Sequence, residues 1–334
     1  MTYNQKGALL AFGVALLAAC SSNNGSPPVT PGPARPLAIG YTAIGASDAV
    51  GFGATVPCTQ ASPALVADPT CPETGASGYV PDVVKGFANF GFAASLQDLG
   101  ISGAVIGPDI QTTANMYGTL GGPTPCRPRT PADAVPANFL QNELPAVNPA
   151  ALFVTIFAGG NDVNAIVNAL ACGAGGTTPA TQTAFVTQEV TAFGHDFATL
   201  VGAVHKNAPS ATIVVANIPN FANVPYAAKQ PAAVRQALQG ISVAIDTNVI
   251  NMVVAAGVPV VDLQCDPRSY MPSNFYTDGF HPNDAGYAAL ASSFLTQALA
   301  NAPAAPQAQC AQQGIQSAVR AAMQTGTALD LPKD

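Results

Sequence analysis

From about residue 37 to 303 the chain alternates short runs of β-branched apolar residues with longer stretches that carry apolar residues at helical spacing. That alternation predicts an α/β domain built on a mainly parallel sheet. Strands are predicted at 38–44, near 104–106, and at 152–158, 212–218 and 258–263; helices are predicted at 79–96, 131–143, 180–206, 231–256 and 283–300. In 180–206, Phe185, Val190, Phe193, Phe197, Leu200, Val201 and Val204 make an amphipathic helix pattern. No internal repeat and no second domain are visible, and a segment of this length can bury a sizeable core.

An open parallel sheet places its binding crevice at the carboxyl ends of its strands. Ser47 follows the first predicted strand, Asn161 follows 152–158, and Asp278 with His281 falls after the last. The polar residues of interest therefore converge on one predicted edge.

The flanks read differently. Residues 1–20 form an export signal: Lys6, an apolar stretch over 8–19 too short to span a bilayer, then Leu17-Ala18-Ala19-Cys20. This ending resembles the bacterial lipoprotein signal, in which the cysteine carries the lipid, so Cys20 is the expected lipidation site. Residues 21–36, rich in Ser, Asn, Gly and Pro, are expected to be a flexible tether. The tail, 304–334, is expected to pack back on the body with a short helix at 315–323. Beyond the signal no stretch reads as membrane-spanning, and the expected location is the cell envelope, lipid-anchored and in the outer membrane, or secreted.

Net charge is −7, with 11 Lys plus Arg and no basic run, which gives nucleic-acid binding no electrostatic support. Six cysteines remain after Cys20, an even number in an exported chain, and disulfides are expected. The sequence selects no connectivity; the pairing carried forward is Cys58 with Cys71, Cys126 with Cys172, and Cys265 with Cys310. No C-x-x-C, H-E-x-x-H or His-rich cluster occurs, so neither a metal nor an organic cofactor is expected.

Two segments fit one chemistry: Ile44-Gly45-Ala46-Ser47-Asp48 and Asp278-Gly279-Phe280-His281-Pro282. A serine hydroxyl becomes nucleophilic when an imidazole takes its proton and a carboxylate fixes the imidazole tautomer. Asp278 and His281, three residues apart, are predicted to share one face of a tight helical turn. The other histidines, His195 and His205, lie in the predicted helix 180–206 and are read as ordinary helix residues, His195 and adjacent Asp196 pointing too far apart to pair. Taken singly, these features have plainer readings: Ser47 as a helix N-cap after a strand, Gly103 as a turn glycine, Asn161-Asp162 as a turn or cap, and Asn283 or Asp284 as the N-cap of the last helix. Between the two ends, Leu99-Gly100-Ile101-Ser102-Gly103-Ala104 and Phe157-Ala158-Gly159-Gly160-Asn161-Asp162 could supply backbone N–H groups and a side-chain amide to an oxyanion.

The ordered set of four resembles the SGNH (GDSL) hydrolase family, whose blocks carry Ser, Gly, Asn and His in that order. The resemblance implies a three-layer α/β/α sandwich with a flavodoxin-like sheet. It implies Ser47 as nucleophile, His281 as base and Asp278 as its orienter, with Ser47 N–H, Gly103 and Asn161 as oxyanion donors. Asp162 is implied to hold its loop. Two positions depart from the family: Gly-Ala-Ser-Asp replaces the common Gly-Asp-Ser-Leu, and Asp98 stands where Asn often precedes the second block. The α/β-hydrolase elbow is excluded because G-x-S-x-G lacks its second glycine after Ser47.

These readings lead to a serine esterase of the lipase/acylhydrolase type, expected to be monomeric, with a small-molecule or lipid ester as substrate. A carbohydrate acetyl esterase is the second enzyme reading, weakly opposed by the absence of Trp. Segment 217–226 resembles the pocket-side loop of family lipases and favours the first. A non-catalytic binding lipoprotein would have no need of Ser47, Asn161, Asp278 and His281 together.

Overall fold

The structure, a computed structural model, describes residues 37–58, 75–118, 126–130, 134–247, 253, 256–300 and 306. The predicted signal, tether and most of the tail lie outside the described residues. In chain order the main elements are β1 (Leu37–Gly45), α1 (Tyr79–Asn89), β2 (Phe92–Asp98), α2 (Pro108–Tyr117), β3 (Phe153–Phe157), α3 (Gly160–Ala171), α4 (Pro179–Asn207), β4 (Thr212–Ala216), α5 (Ala232–Ile245), β5 (Val260–Val261) and α6 (Asp284–Leu299).

The described strands form a five-stranded sheet in the order β2-β1-β3-β4-β5, with every pairing parallel. This is the flavodoxin-like order, whose direction of winding reverses beside β1 and opens a crevice there. Strand alternation sorts the core into two halves. Val154, Ile156 and Val215 pack with Ile110, Ile166, Phe193, Phe197 and Ile241, from α2 to α5. Phe153, Val214 and Val261 pack with Tyr79, Val83, Phe87, Tyr287 and Phe294, from α1 and α6. The result is three layers, with β3 covered on both faces, as its nearly continuous burial shows.

Several elements differ from their sequence expectation. Helix 79–96 stops at Asn89, because Gly91 takes φ +82° and the following residues alternate in burial as edge strand β2. Residues 104–106 form no strand; Val105 makes a single bridge to Asn138. Among the described residues of 131–143, only Phe139–Glu143 winds, as a π turn capped by the Asn138 side chain, which accepts from Gln141 N–H. Helix α2 is polar and buries only Ile110 and Ala114, which leaves little periodicity to detect. Helix α3 begins within the glycines that read as a turn.

Cys126 and Cys172 are disulfide-bonded, as paired from the sequence. Cys58 and Cys265 are also disulfide-bonded, whereas Cys71 and Cys310 lie outside the described residues. No helix among the described residues is long and apolar enough to cross a membrane.

Candidate active site

Strand β1 ends at Gly45, whose N–H donates to Glu143 Oε2 at 3.0 Å, and the chain then turns tightly, Ala49 N–H donating to Ala46 carbonyl. Ser47 sits on that turn, 6% exposed, at the carboxyl edge of the sheet. Its Oγ lies 2.9 Å from His281 Nε2, and His281 Nδ1 lies 2.7 Å from Asp278 Oδ2. A carboxylate can only accept, so the tautomer that satisfies both contacts carries its proton on Nδ1 and leaves Nε2 to accept from the serine hydroxyl.

Asp278 and His281 do not sit on a helical turn, contrary to the spacing argument. The Asp278 side chain builds the turn itself: Oδ1 accepts the N–H groups of Phe280 (2.9 Å) and His281 (3.0 Å), leaving Oδ2 for the imidazole. Gly279 takes φ +72°, and a Cβ there would lie 2.8 Å from Tyr226 N, so the position requires glycine twice over. Tyr226 N–H donates to Gly279 carbonyl, tying the 217–226 loop to the His281 loop. Burial raises the Asp278 pKa, but hydrogen bonds from the His281 ring and the two N–H groups outweigh it and hold the carboxyl below its ordinary value. Asp278 is therefore ionised at neutral pH. Asn283 caps α6 by accepting from Ala285 and Gly286 N–H, as one of the plainer readings anticipated.

Asn161 lies in the first turn of α3, just after Gly159 at φ +118°. Its Nδ2 donates to Ala104 carbonyl at 2.9 Å, and the next residue, Asp162, accepts Ile106 N–H through Oδ1 at 2.9 Å. Two consecutive residues thus clamp the 104–106 segment, which carries Gly103 at φ +82° on its flank. Gly103, Asn161, Asp278 and His281 line one cavity of about 430 Å³ with Arg129, Asn164 and Tyr226. A narrower cleft joins Ser47 to Ala104, Asn161 and Phe280. Neither Ser47 N–H nor Gly103 N–H has an acceptor among the described residues.

His195 and His205 lie in α4 as predicted, but His195 does meet its neighbour: Nδ1 is 3.2 Å from Asp196 Oδ1, a contact the helical angle was expected to forbid. Side chains that leave a helix about 100° apart can still bend to touch when one is exposed, as His195 is.

Sequence reasoning missed a set of buried carboxylates that fix the loops at this edge. Glu143 holds Gly45, Asp246 Oδ1 accepts Ile218 N–H after β4, and Asp98 Oδ1 accepts Gly100 N–H. Burial raises the pKa values of Glu143 and Asp246 well above the ordinary carboxylate range and lifts Asp162 to about 7. Asp48, beside the serine, is also raised by burial, with His281 pulling the other way. Only Asp162 and the departures Asp48 and Asp98 had a motif to point to them; Glu143 and Asp246 had none.

No curated protein matches the chain. Among solved structures, it is similar to phospholipase A1 from Streptomyces albidoflavus NA297 at 18% identity and a TM-score of 0.46, covering 78% of this chain and 98% of that one. An extracellular lipase from Streptomyces rimosus gives 16% and 0.49, covering 78% and 99%. Axe2, an acetylxylan esterase from Geobacillus stearothermophilus, gives 14% and 0.44, covering 81% and 99%. The model of the GDSL-like lipase/acylhydrolase family matches residues 43–289. That span runs from inside β1 to inside α6 and takes in the whole site, so the chain belongs to the GDSL-like lipase/acylhydrolase family.

Proposed function

We propose that the protein is a serine carboxylic ester hydrolase that works through an acyl-enzyme at Ser47. The supporting observation is the continuous contact Ser47 Oγ to His281 Nε2 to His281 Nδ1 to Asp278, at 2.9 and 2.7 Å. His281 takes the Ser47 proton as Oγ attacks the ester carbon, and ionised Asp278 stabilises the imidazolium. The oxyanion is met by Ser47 N–H, Gly103 N–H and the second hydrogen of Asn161 Nδ2, its first being held by Ala104. His281 then gives its proton to the leaving alcohol, and water activated by the same nitrogen releases the acid. Ser47→Ala and His281→Ala should each abolish turnover of a p-nitrophenyl ester panel while leaving the melting temperature close to the parent. Near-normal activity in either variant would remove the assignment.

The substrate is a simple ester or a lipid ester of short acyl chain, supported by the apolar surroundings of the 217–226 loop, where Phe221 and Phe280 stack at 5.2 Å. One observation favours deacetylation of a carbohydrate as a second reading. Phe52 and Tyr276, 46% and 43% exposed, meet edge to face beside His281, with the Phe52 ring 4.5 Å from the imidazole. Such a ledge suits a sugar ring, and turnover of acetylated xylan beside the ester panel separates the two. The protein is exported and anchored through a lipid on Cys20. Intact mass of the mature chain tests this, since an unmodified N-terminus elsewhere would contradict it.

A further inference from the structure

Two cavities adjoin the Ser47 cleft and share lining residues with it. The 430 Å³ cavity brings His281, Asp278, Arg129, Asn161 and Asn164 together with Val135, Pro136 and Tyr226, and it lies where a proton must reach the departing alcohol. A second cavity of about 70 Å³ lies over the carboxyl ends of β3, β4 and β5 and against α6, lined by Phe221, Leu263, Leu290 and Pro219 together with Asp266 and Arg268. It does not include Ser47, but Asp48, Phe157, Gly160 and Phe280 line both it and the Ser47 cleft. These shared residues form the wall between the two.

Phe280 is the removable part of that wall, and it borders all three spaces. Its ring stacks on Phe221 at 5.2 Å and 14°, meets Tyr226 edge to face at 5.6 Å and stands against His281 at 5.0 Å. Beneath it, Gly160 presents bare backbone: a Cβ there would lie 3.5 Å from both the Phe280 and Phe221 rings.

Resting on the acyl-enzyme reading of Ser47, we propose that Phe280 sets the acyl length of the substrate: it closes the cavity against α6, restricts the enzyme to short-chain carboxylic esters, and leaves the His281 cavity to the alcohol. The acyl chain grows from Ser47 Oγ, and the cavity behind Phe280 shares its wall with the cleft that holds that oxygen. A chain too short to reach that wall loses nothing. A longer one must turn into the His281 cavity or displace the ring.

The test is the ratio of kcat/KM for p-nitrophenyl octanoate to that for p-nitrophenyl acetate. The parent should favour acetate. Each methylene taken out of water is worth about fourfold, so Phe280→Ala should raise the ratio by roughly tenfold or more. Phe280→Leu, which keeps an apolar contact on His281, should move it in the same direction by less. Ala289→Phe, which fills the cavity from α6, should leave acetate turnover unchanged alone and cancel the gain in the Phe280→Ala background. An unchanged ratio in both Phe280 variants, or a gain that survives Ala289→Phe, overturns the proposal. Either result leaves acetate hydrolysis at Ser47 intact, whereas loss of the acyl-enzyme reading would show as a parent whose acetate hydrolysis does not depend on Ser47.

Discussion

Under the proposed mechanism Asn161 combines two duties in one amide: a hydrogen to Ala104 carbonyl in the resting site, and a second for charge that exists only in the transition state. Asn161→Ala should therefore lower kcat by about 10²–10³ with little change in KM, because ground-state binding loses almost nothing. If the residue served only to shape the turn, kcat per folded molecule would stay normal and the melting temperature would fall. At this scale the sequence was most legible where chemistry restricts residue type. Ser47, Asp278, His281 and Asn161 could be named from type, order and position after strands, and the first three lie in direct contact. What spacing could not supply was the way Asp278 reaches the ring, since two backbone N–H bonds and Gly279 at positive φ, rather than a helix, aim the carboxylate. Glu143 was invisible because its partner, Gly45, lies far away in sequence and no local pattern marks a carboxylate that will be buried.

Elements were legible where their patterns were strong. Helix α4 and strands β1, β3 and β4 fall within about two residues of expectation, whereas β2 was absorbed into the preceding helix because an edge strand shows weak alternation and Gly91 sits between them. Helix α3 matters most among the misses, because its first turn carries both Asn161 and Asp162. Asp162 is 1% exposed and has its pKa raised by burial to about 7 from 3.8, the Ile106 N–H only partly opposing the shift. The folded state thus holds a proton that the unfolded chain has released over that window, and this carboxyl subtracts stability as pH rises from 3.8 towards about 7. Asp162→Asn keeps an acceptor for Ile106 and removes the titration. Melting temperatures measured across that window should show the variant gaining on the parent as pH rises and running parallel above it. A constant difference at all pH values would mean that Asp162 does not titrate there.

For the whole molecule, alternating patterns were enough to give the fold class, because a doubly covered parallel sheet demands apolar strands and crossover helices in turn. Strand order was not legible from periodicity; it entered with the resemblance, and the parallel β2-β1-β3-β4-β5 sheet agrees with it. That order places the ends of β1, β3 and β5 on one edge, where Ser47, Asn161 and the Asp278–His281 loop come together. The same placement makes the central claim testable in one measurement: exposure of the purified domain to a fluorophosphonate, followed by peptide mapping of the adduct. One equivalent should attach to Ser47, labelling should be lost in Ser47→Ala and His281→Ala, and it should slow without vanishing in Asn161→Ala. No adduct on a folded protein, or an adduct on another residue, would contradict a serine hydrolase built on Ser47.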